Sequence, residues 1–291
     1  MAVHISAARD WTAPATDAAL RDHLTTVGNA LDAVGFVRTT DSGQFNPATV
    51  LRADVPTSGS AESFYEVRYL DDSLHSTAPI IIKISYYANS LLSMNFRVGM
   101  VTNGSGTFVG PSSFVDGGFS AYSSATVAFY ATGGEGYTGF WLPVSRGEYG
   151  MFIARTADQN GDPTAGGFRV YYRSYGSTSY DIKTVDYRAD TRTFTLKAQP
   201  DYTFVPQGRL SSLNPSAALD VYRHYSALPD PRVCPYAVTV HKVEHTAGVT
   251  FTTDPIQGQV HTFMPVMQWH GADACYPTTS RDNIMAVRWE A

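Results

Sequence analysis

The sequence contains one pattern with the spacing of a metal-dependent catalytic motif. His241-Lys242-Val243-Glu244-His245 follows the H-x-x-E-H order of the inverted zinc peptidases. That chemistry needs both imidazoles on one face of a helix, where residues four apart lie about 6 Å from each other. The flanking residues are β-branched and alternate as in a strand, which would hold the two histidines roughly 13 Å apart. We therefore expect two strand histidines, with no metal and no cofactor.

The chain lacks other catalytic signatures that a sequence shows directly. Neither a GxSxG nucleophile elbow nor a GxxxxGK[ST] phosphate loop occurs, and residues 133–136 are interpreted as a glycine-rich loop. Candidate carboxylates for glycoside hydrolysis are Glu66, Glu135, Glu148 and Asp158. The working separation of such a pair is a distance in space, which spacing along the chain does not give. We expect a protein that is not an enzyme, with a cell-wall hydrolase as the least favoured alternative.

A group of tyrosines offers a possible binding surface. Tyr171, Tyr172 and Tyr175 are candidates to face a ligand, because sugar rings stack on rigid aromatic side chains. The alternative is that these tyrosines pair across neighbouring strands and stabilise a ribbon. Both interpretations stay open at the level of the sequence.

One segment near the N-terminus has helical periodicity. Its apolar residues share one face of a predicted helix, and they are Leu20, Leu24, Val27, Leu31 and Val34. Thr16 or Asp17 can cap the first free amides, and Gly35 can end the helix in a left-handed conformation. The apolar face must be buried on the chain's own β domain or against neighbouring subunits. The polar flanking stretches favour the second alternative, so we expect these five residues in an assembly interface.

Beyond Gly35 the apolar pattern changes to a period of two, interrupted by turn residues. Predicted strand pairs are 80–87 with 92–100, 149–155 with 168–175, and 180–187 with 192–197. Asn103-Gly104 suits a tight turn after the first pair. The predicted fold is mainly β, an antiparallel sandwich or barrel-like arrangement preceded by one amphipathic helix.

Proline positions suggest how the chain is divided. We expect an N-terminal segment with the helix at 1–40, an antiparallel β domain at 41–199, and a proline-rich connection at 200–235. Residues 236–291 then form a C-terminal β region, which either stands apart or packs on the same domain.

Composition restricts the partners of the protein. Charged residues make up 16% of the chain, only 4 residues are Lys, and Ser and Thr account for 55 of 291. Interface cores are similarly poor in Lys and rich in Tyr and Phe. The net charge of −5, without a Lys/Arg cluster, argues against nucleic acid, and no apolar window is long enough to insert into a membrane. Cys234 and Cys275 are expected to be free thiols, with a single disulfide as the alternative.

Part of the sequence resembles structural proteins of tailed bacteriophages. In virion proteins of this tail and baseplate group, a run of the form YE…F.D.L..T.P.[FI]IKI…G…NGSG recurs. The matching residues here are Tyr65-Glu66, Asp71-Asp72-Ser73-Leu74, Thr77-Ala78-Pro79-Ile80-Ile81-Ile82-Lys83-Ile84, Gly99 and Asn103-Gly104-Ser105-Gly106. The similarity covers about fifty residues. Tyr86-Tyr87-Ala88 departs from it, because a glycine-containing turn often stands there.

The resemblance implies a virion component that is assembled in the bacterial cytoplasm and carries no catalytic residues. Its partners would be further copies of itself and other virion proteins, and its place most often the tail or baseplate. A receptor- or carbohydrate-binding fibre or tip module, which would contact a glycan or receptor on the host surface, is the alternative. A head-decoration role is less favoured.

Overall fold

The computed structural model describes most of the chain between residues 2 and 290. The described residues are 2–12, 14–57, 63–88, 92–110, 113–120, 126–144, 147–158, 161–173, 182–197, 202–207, 221–225, 233–241, 250–252, 261–269 and 283–290.

Strands dominate the described structure, with one α-helix near the N-terminus. In chain order the elements are β1 (Ala2–Ile5), β2 (Arg9–Asp10), α1 (Asp17–Ala33), β3 (Phe36–Arg38), a 3-10 turn (Arg52–Asp54), β4 (Tyr65–Leu70), β5 (Ile81–Ala88), β6 (Leu92–Gly99), β7 (Ser113–Ser120), β8 (Thr126–Val127), β9 (Tyr130–Gly134), β10 (Tyr137–Val144), β11 (Gly147–Ala157), β12 (Pro163–Arg173), β13 (Ile182–Arg188), β14 (Thr193–Lys197), β15 (Tyr202–Gln207), β16 (Val221–Tyr225), β17 (Val233–His241), β18 (Phe251–Thr252), β19 (Thr262–Trp269) and β20 (Asn283–Arg288). The predicted fold class, mainly β with one N-terminal helix, is confirmed.

The helix begins and ends at the residues that its sequence indicates. The Thr16 side chain accepts a hydrogen bond from the Ala19 amide at 3.1 Å, which satisfies one of the free donors of the first turn. Gly35 follows the last turn with φ of 74°, a conformation in which a side chain is strained. Both caps confirm the prediction.

The strands form three large antiparallel sheets and one small one. The five-stranded sheet has the order β3-β4-β5-β6-β7, and the seven-stranded sheet has the order β1-β9-β10-β11-β12-β13-β14. The six-stranded sheet has the order β15-β16-β17-β20-β19-β18, and β2 pairs with β8. All three predicted strand pairs are present, with Ile84 opposite Phe96, Ile153 opposite Val170, and Val185 opposite Leu196. Of residues 133–136, predicted as a glycine-rich loop, Gly133 and Gly134 are the last residues of β9, and only Glu135 and Gly136 form the turn to β10.

The seven-stranded sheet is the middle layer of the molecule. One face packs on α1 and the five-stranded sheet, where the Phe96 and Phe140 ring centroids lie 5.3 Å apart. The other face packs on the six-stranded sheet, and Trp141 meets Trp289 at 5.3 Å. Burial on both faces explains why this sheet carries apolar side chains on both sides.

The predicted division of the chain does not correspond to the sheets. Residues 200–235, predicted as a connection, contain β15, β16 and the start of β17, which are strands of the six-stranded sheet. Residues 1–40 contribute β1 to the seven-stranded sheet and β3 to the five-stranded one. The prolines were interpreted as evidence for a connection without strands. An edge strand such as β15 can contain proline, so that interpretation missed it.

Candidate functional site

Three residues of the segment 65–106, Tyr65, Lys83 and Gly106, meet on the outer face of the five-stranded sheet. Tyr65 lies on β4 with its side chain directed away from the helix, and its hydroxyl is 2.8 Å from the Ser105 carbonyl and 3.0 Å from the Ser42 carbonyl. A hydroxyl carries a single proton, so it donates to one of these carbonyls at a time. Tyr65 thereby joins two loops that are distant in sequence.

Gly106 makes this contact possible because it has no side chain. A Cβ atom at Gly106 would lie 2.3 Å from the Tyr65 ring, and the residue has φ of 71°. Only glycine combines that backbone conformation with such a close approach. The Gly106 amide also donates to Asp41 Oδ2 at 2.8 Å, which fixes the loop from its other side.

Lys83 completes the cluster under the loop. It lies on β5, opposite Val67, and its Nζ is 3.9 Å from the centroid of the Tyr65 ring. An ammonium group over an aromatic ring is attracted by the electrons of the ring face. The Lys83 residue is only 5% exposed, and burial lowers the pKa of its ammonium group.

The loop that contains Asp41 is held by a glutamine. Gln44 Oε1 accepts hydrogen bonds from the Val67 amide at 2.7 Å and from Arg38 Nε at 3.0 Å. Gln44 Nε2 donates to the Thr39 carbonyl at 2.9 Å. The loop therefore packs on the sheet through satisfied polar contacts and supports Gly106 through Asp41.

Residues 101–109 form a tight hairpin above this cluster, which we call the valine hairpin. The Val109 amide donates to the Val101 carbonyl at 3.0 Å, and the Asn103 amide donates to the Thr107 carbonyl at 2.9 Å. Phe108 lies against Gly99, where a Cβ would approach the ring to 2.4 Å. Val101 and Val109 are 51% and 48% exposed, two of the four large apolar side chains most exposed among the described residues. The result is a firmly supported hairpin with an apolar surface.

The opposite face of the same sheet contains a buried network of charged groups. Arg68 donates from Nε to Glu66 Oε2 at 2.9 Å and from Nη1 to Asp32 Oδ1 at 2.6 Å. The Tyr86 hydroxyl donates to Glu66 Oε1 at 2.5 Å. Burial and the neighbouring Glu66 carboxylate raise the pKa of Tyr86 well above its ordinary value, so the hydroxyl keeps its proton. This network fastens α1 to β4 and β5.

A second buried ion pair joins two sheets. Asp72, just after β4, accepts hydrogen bonds from Arg155 Nε at 2.5 Å and from Arg155 Nη2 at 2.9 Å. Both side chains are almost fully excluded from water, and Arg155 lies on β11 of the seven-stranded sheet. The two-point geometry fixes the position of one sheet relative to the other.

The predicted assembly residues of the helix lie inside the chain's own core. Leu20, Leu24, Val27, Leu31 and Val34 are buried against the sheets and form part of the main apolar cluster. The expectation that this face contacts a neighbouring subunit is therefore wrong. An amphipathic pattern requires burial of the face but does not say which surface covers it.

The predicted aromatic surface is likewise covered. Tyr172 points into the main core, and Tyr171 points into the cluster between the seven- and six-stranded sheets. Neither side chain faces a ligand, so that expectation is wrong for both, and Tyr175 lies outside the described residues. Adjacent residues of a strand point to opposite faces, and in a middle layer both faces are buried.

The histidine motif falls only partly within the described structure. His241 is the last residue of β17, in agreement with the strand interpretation, while residues 242–249 lie outside the described part of the chain. Within the described ranges, no group of three or more His, Cys, Asp or Glu side chains is arranged to hold a metal ion. No helix among these residues is long and apolar enough to cross a membrane.

Some residues of the Tyr65 cluster are unusual in the sequence, but nothing near them in the chain indicates that they meet. Lys83 interrupts an apolar run, and Gly104 and Gly106 follow Asn103 after the strand. Their common contact, Tyr65, lies some forty residues from Ser105, so no local pattern links them.

Comparisons with known protein families, with curated proteins and with solved structures found no match to this chain.

Proposed function

We propose that the protein is a non-enzymatic structural subunit of a phage virion, in the tail or baseplate, which acts through contacts with other virion proteins. The proposal rests on the resemblance of residues 65–106 to such proteins. The structural observation that supports it most is the convergence of Tyr65, Lys83 and Gly106, all from the resembling run, on one supported hairpin.

The valine hairpin is the contact surface in this proposal. Apolar side chains near half exposure gain free energy when a partner removes them from water, by about 25 cal/mol for each Å² buried. A hairpin that is already fixed by Tyr65 and Asp41 loses little conformational freedom on binding. The interface is thus assigned to the opposite side of the five-stranded sheet from α1.

A carbohydrate-binding module is the weaker alternative. Its predicted platform included Tyr171 and Tyr172, which the structure buries. Two of its three proposed ligand-facing side chains are therefore not accessible to a sugar ring.

The test combines detection of the protein in purified particles with a charge substitution in the hairpin. Val101→Asp together with Val109→Asp should leave the melting temperature nearly unchanged and reduce incorporation into particles at least about tenfold, because binding would bury unpaired charges. Leu51→Asp is the control, since Leu51 is another exposed apolar residue, 45% accessible, outside the hairpin.

Two outcomes would count against the proposal in different ways. Absence of the wild-type protein from purified particles, together with specific retention on a glycan array, would reject the structural role. Full incorporation of the doubly substituted protein would reject the hairpin as the contact surface.

A further inference from the structure

The residues before the helix are attached to the rest of the molecule through two short strands, β1 and β2. We call residues 2–12 the arm. β1 pairs with β9 over four residues, β2 pairs with β8 over two, and the Ser6 amide donates to the Phe129 carbonyl at 2.9 Å. Ile5 is 52% exposed. Backbone hydrogen bonds therefore attach the arm to β9 at one edge of the seven-stranded sheet and to β8 in the two-stranded sheet.

A single large side chain anchors the arm. Trp11 is 2% exposed, and its ring centroid lies 5.4 Å from that of His23 and 5.9 Å from that of Phe129. Its Nε1 donates to the Val127 carbonyl at 3.0 Å. These contacts form a socket for one tryptophan between α1 and the strand region around β8.

The contact between the arm and α1 leaves buried polar atoms without partners. Arg9 Nε, Arg9 Nη1 and His23 Nδ1 are buried and have no hydrogen-bond partner among the described residues. Arg9 Nη1 lies 2.8 Å from Asp22 Oδ2, an ion-pair contact rather than an aligned hydrogen bond. The Asp22 side chain is 66% exposed, so water and salt weaken this attraction. Arg9 Nε and His23 Nδ1, which are buried and have no polar partner among the described residues, oppose the docking of the arm.

Protonation of His23 would weaken the contact further. The charged and titratable groups around the ring are Arg9 and Asp10 on the arm and Asp22 on the helix. Burial, and then the positive charge of Arg9, lower the pKa of His23 below its ordinary value of 6.5. A protonated ring would also carry a buried Nδ1–H with no acceptor.

The pH window follows from the direction of this shift. A base whose pKa is lowered by docking binds its proton more tightly when the arm is released. The docked state therefore keeps its full stability above about pH 6.5 and loses stability as the pH falls below that value. One pH unit lower, at pH 5.5, the opening equilibrium rises by up to about tenfold.

The released arm and its vacated site are complementary between copies of the chain. Every contact of the arm described above is made to the rest of the same chain, so a second copy offers an identical sheet edge and tryptophan socket. We propose that residues 2–12 form an exchangeable strand, which leaves its own sheet at acidic pH and pairs with β8 and β9 of a second copy of this chain. This inference depends only on the arm and holds or fails independently of the proposed function.

The test joins two single-cysteine chains. Asp10 and Thr126 are exposed and lie opposite each other in the β2–β8 pair. One chain carries Asp10→Cys and the other, with a size tag, carries Thr126→Cys, both with Cys234→Ser and Cys275→Ser. The mixture is held at pH 5.5 or pH 8, returned to pH 8 and oxidised, and disulfide-linked heterodimer is measured on non-reducing gels.

Exchange predicts up to about tenfold more heterodimer after incubation at pH 5.5 than at pH 8. In chains that also carry His23→Gln, which cannot be protonated, the yield should be the same at both pH values. Absence of heterodimer, or a yield that does not depend on pH, would overturn the proposal. As a second measurement on the unsubstituted chain, dimers formed at pH 5.5 and high concentration should persist after dilution at pH 8, and their immediate dissociation would also overturn it.

Discussion

Two of the regions that bury charged side chains differ in how completely those charges are paired. Asp72 and Arg155 meet in a two-point ion pair between two sheets, with aligned hydrogen bonds at 2.5 and 2.9 Å. Where the arm meets α1, Arg9 Nε and His23 Nδ1 are buried without hydrogen-bond partners among the described residues, and Arg9 Nη1 has only its ion-pair contact with the exposed Asp22.

The difference separates fixed contacts from releasable ones. A buried ion pair with all its hydrogen bonds made is costly to break, because removal of one partner leaves the other charge uncompensated. In a contact with unpaired buried donors, the docked state already includes the desolvation cost of those donors, so less free energy is lost when the contact opens. We therefore expect the sheets to stay together under conditions in which the arm opens.

Introducing buried charges with no partner at all should have the largest effect. Leu24→Asp combined with Leu31→Asp places two carboxylates in the main core, and we expect loss of the cooperative thermal transition of the monomer. Thr25→Asp with Asn29→Asp is the control, since both residues are exposed on the same helix. An unchanged melting temperature of the core variant would show that α1 is not packed on its own sheets.

Removing half of the complete ion pair should have the next largest effect. Asp72→Ala leaves the Arg155 charge buried, and we expect the free energy of unfolding to fall by about 3–5 kcal/mol in urea denaturation. Asp71→Ala, at the exposed neighbouring residue, should change it by less than about 0.5 kcal/mol. Equal effects of the two substitutions would contradict the role assigned to the pair.

Substitution of a loop glycine should have a smaller effect. Gly106→Ala introduces a Cβ that would meet the Tyr65 ring and also strains a positive φ, so we expect a loss of about 1–3 kcal/mol. Gly104→Ala has a similar φ, but its Cβ would enter open space, so it isolates the strain alone. If both variants lose the same stability, the Tyr65 contact contributes nothing.

The sequence predicts the parts of this fold that depend on local chemistry. Thr16 and Gly35 bound the helix because capping and left-handed backbone are properties of single residues. The strand pairs follow from their alternating patterns. The covering of α1, Tyr171 and Tyr172 could not be predicted, because it depends on which distant sheet lies against each face. The Tyr65 cluster was missed for the same reason, since Ser42, Tyr65 and Ser105 meet only in the folded chain.

Native-state hydrogen exchange at two amides tests the contrast between the regions most directly. The Ser6 amide, in the arm, donates to the Phe129 carbonyl at 2.9 Å. The Tyr86 amide, in the five-stranded sheet, donates to the Phe64 carbonyl, also at 2.9 Å. We predict that Ser6 exchanges through local opening and that its protection, corrected for intrinsic exchange, falls by up to about tenfold between pH 8 and pH 5.5. Tyr86 should stay protected to the level of global unfolding at both pH values. Equal protection of the two amides, or protection of Ser6 that does not change with pH, would contradict the account.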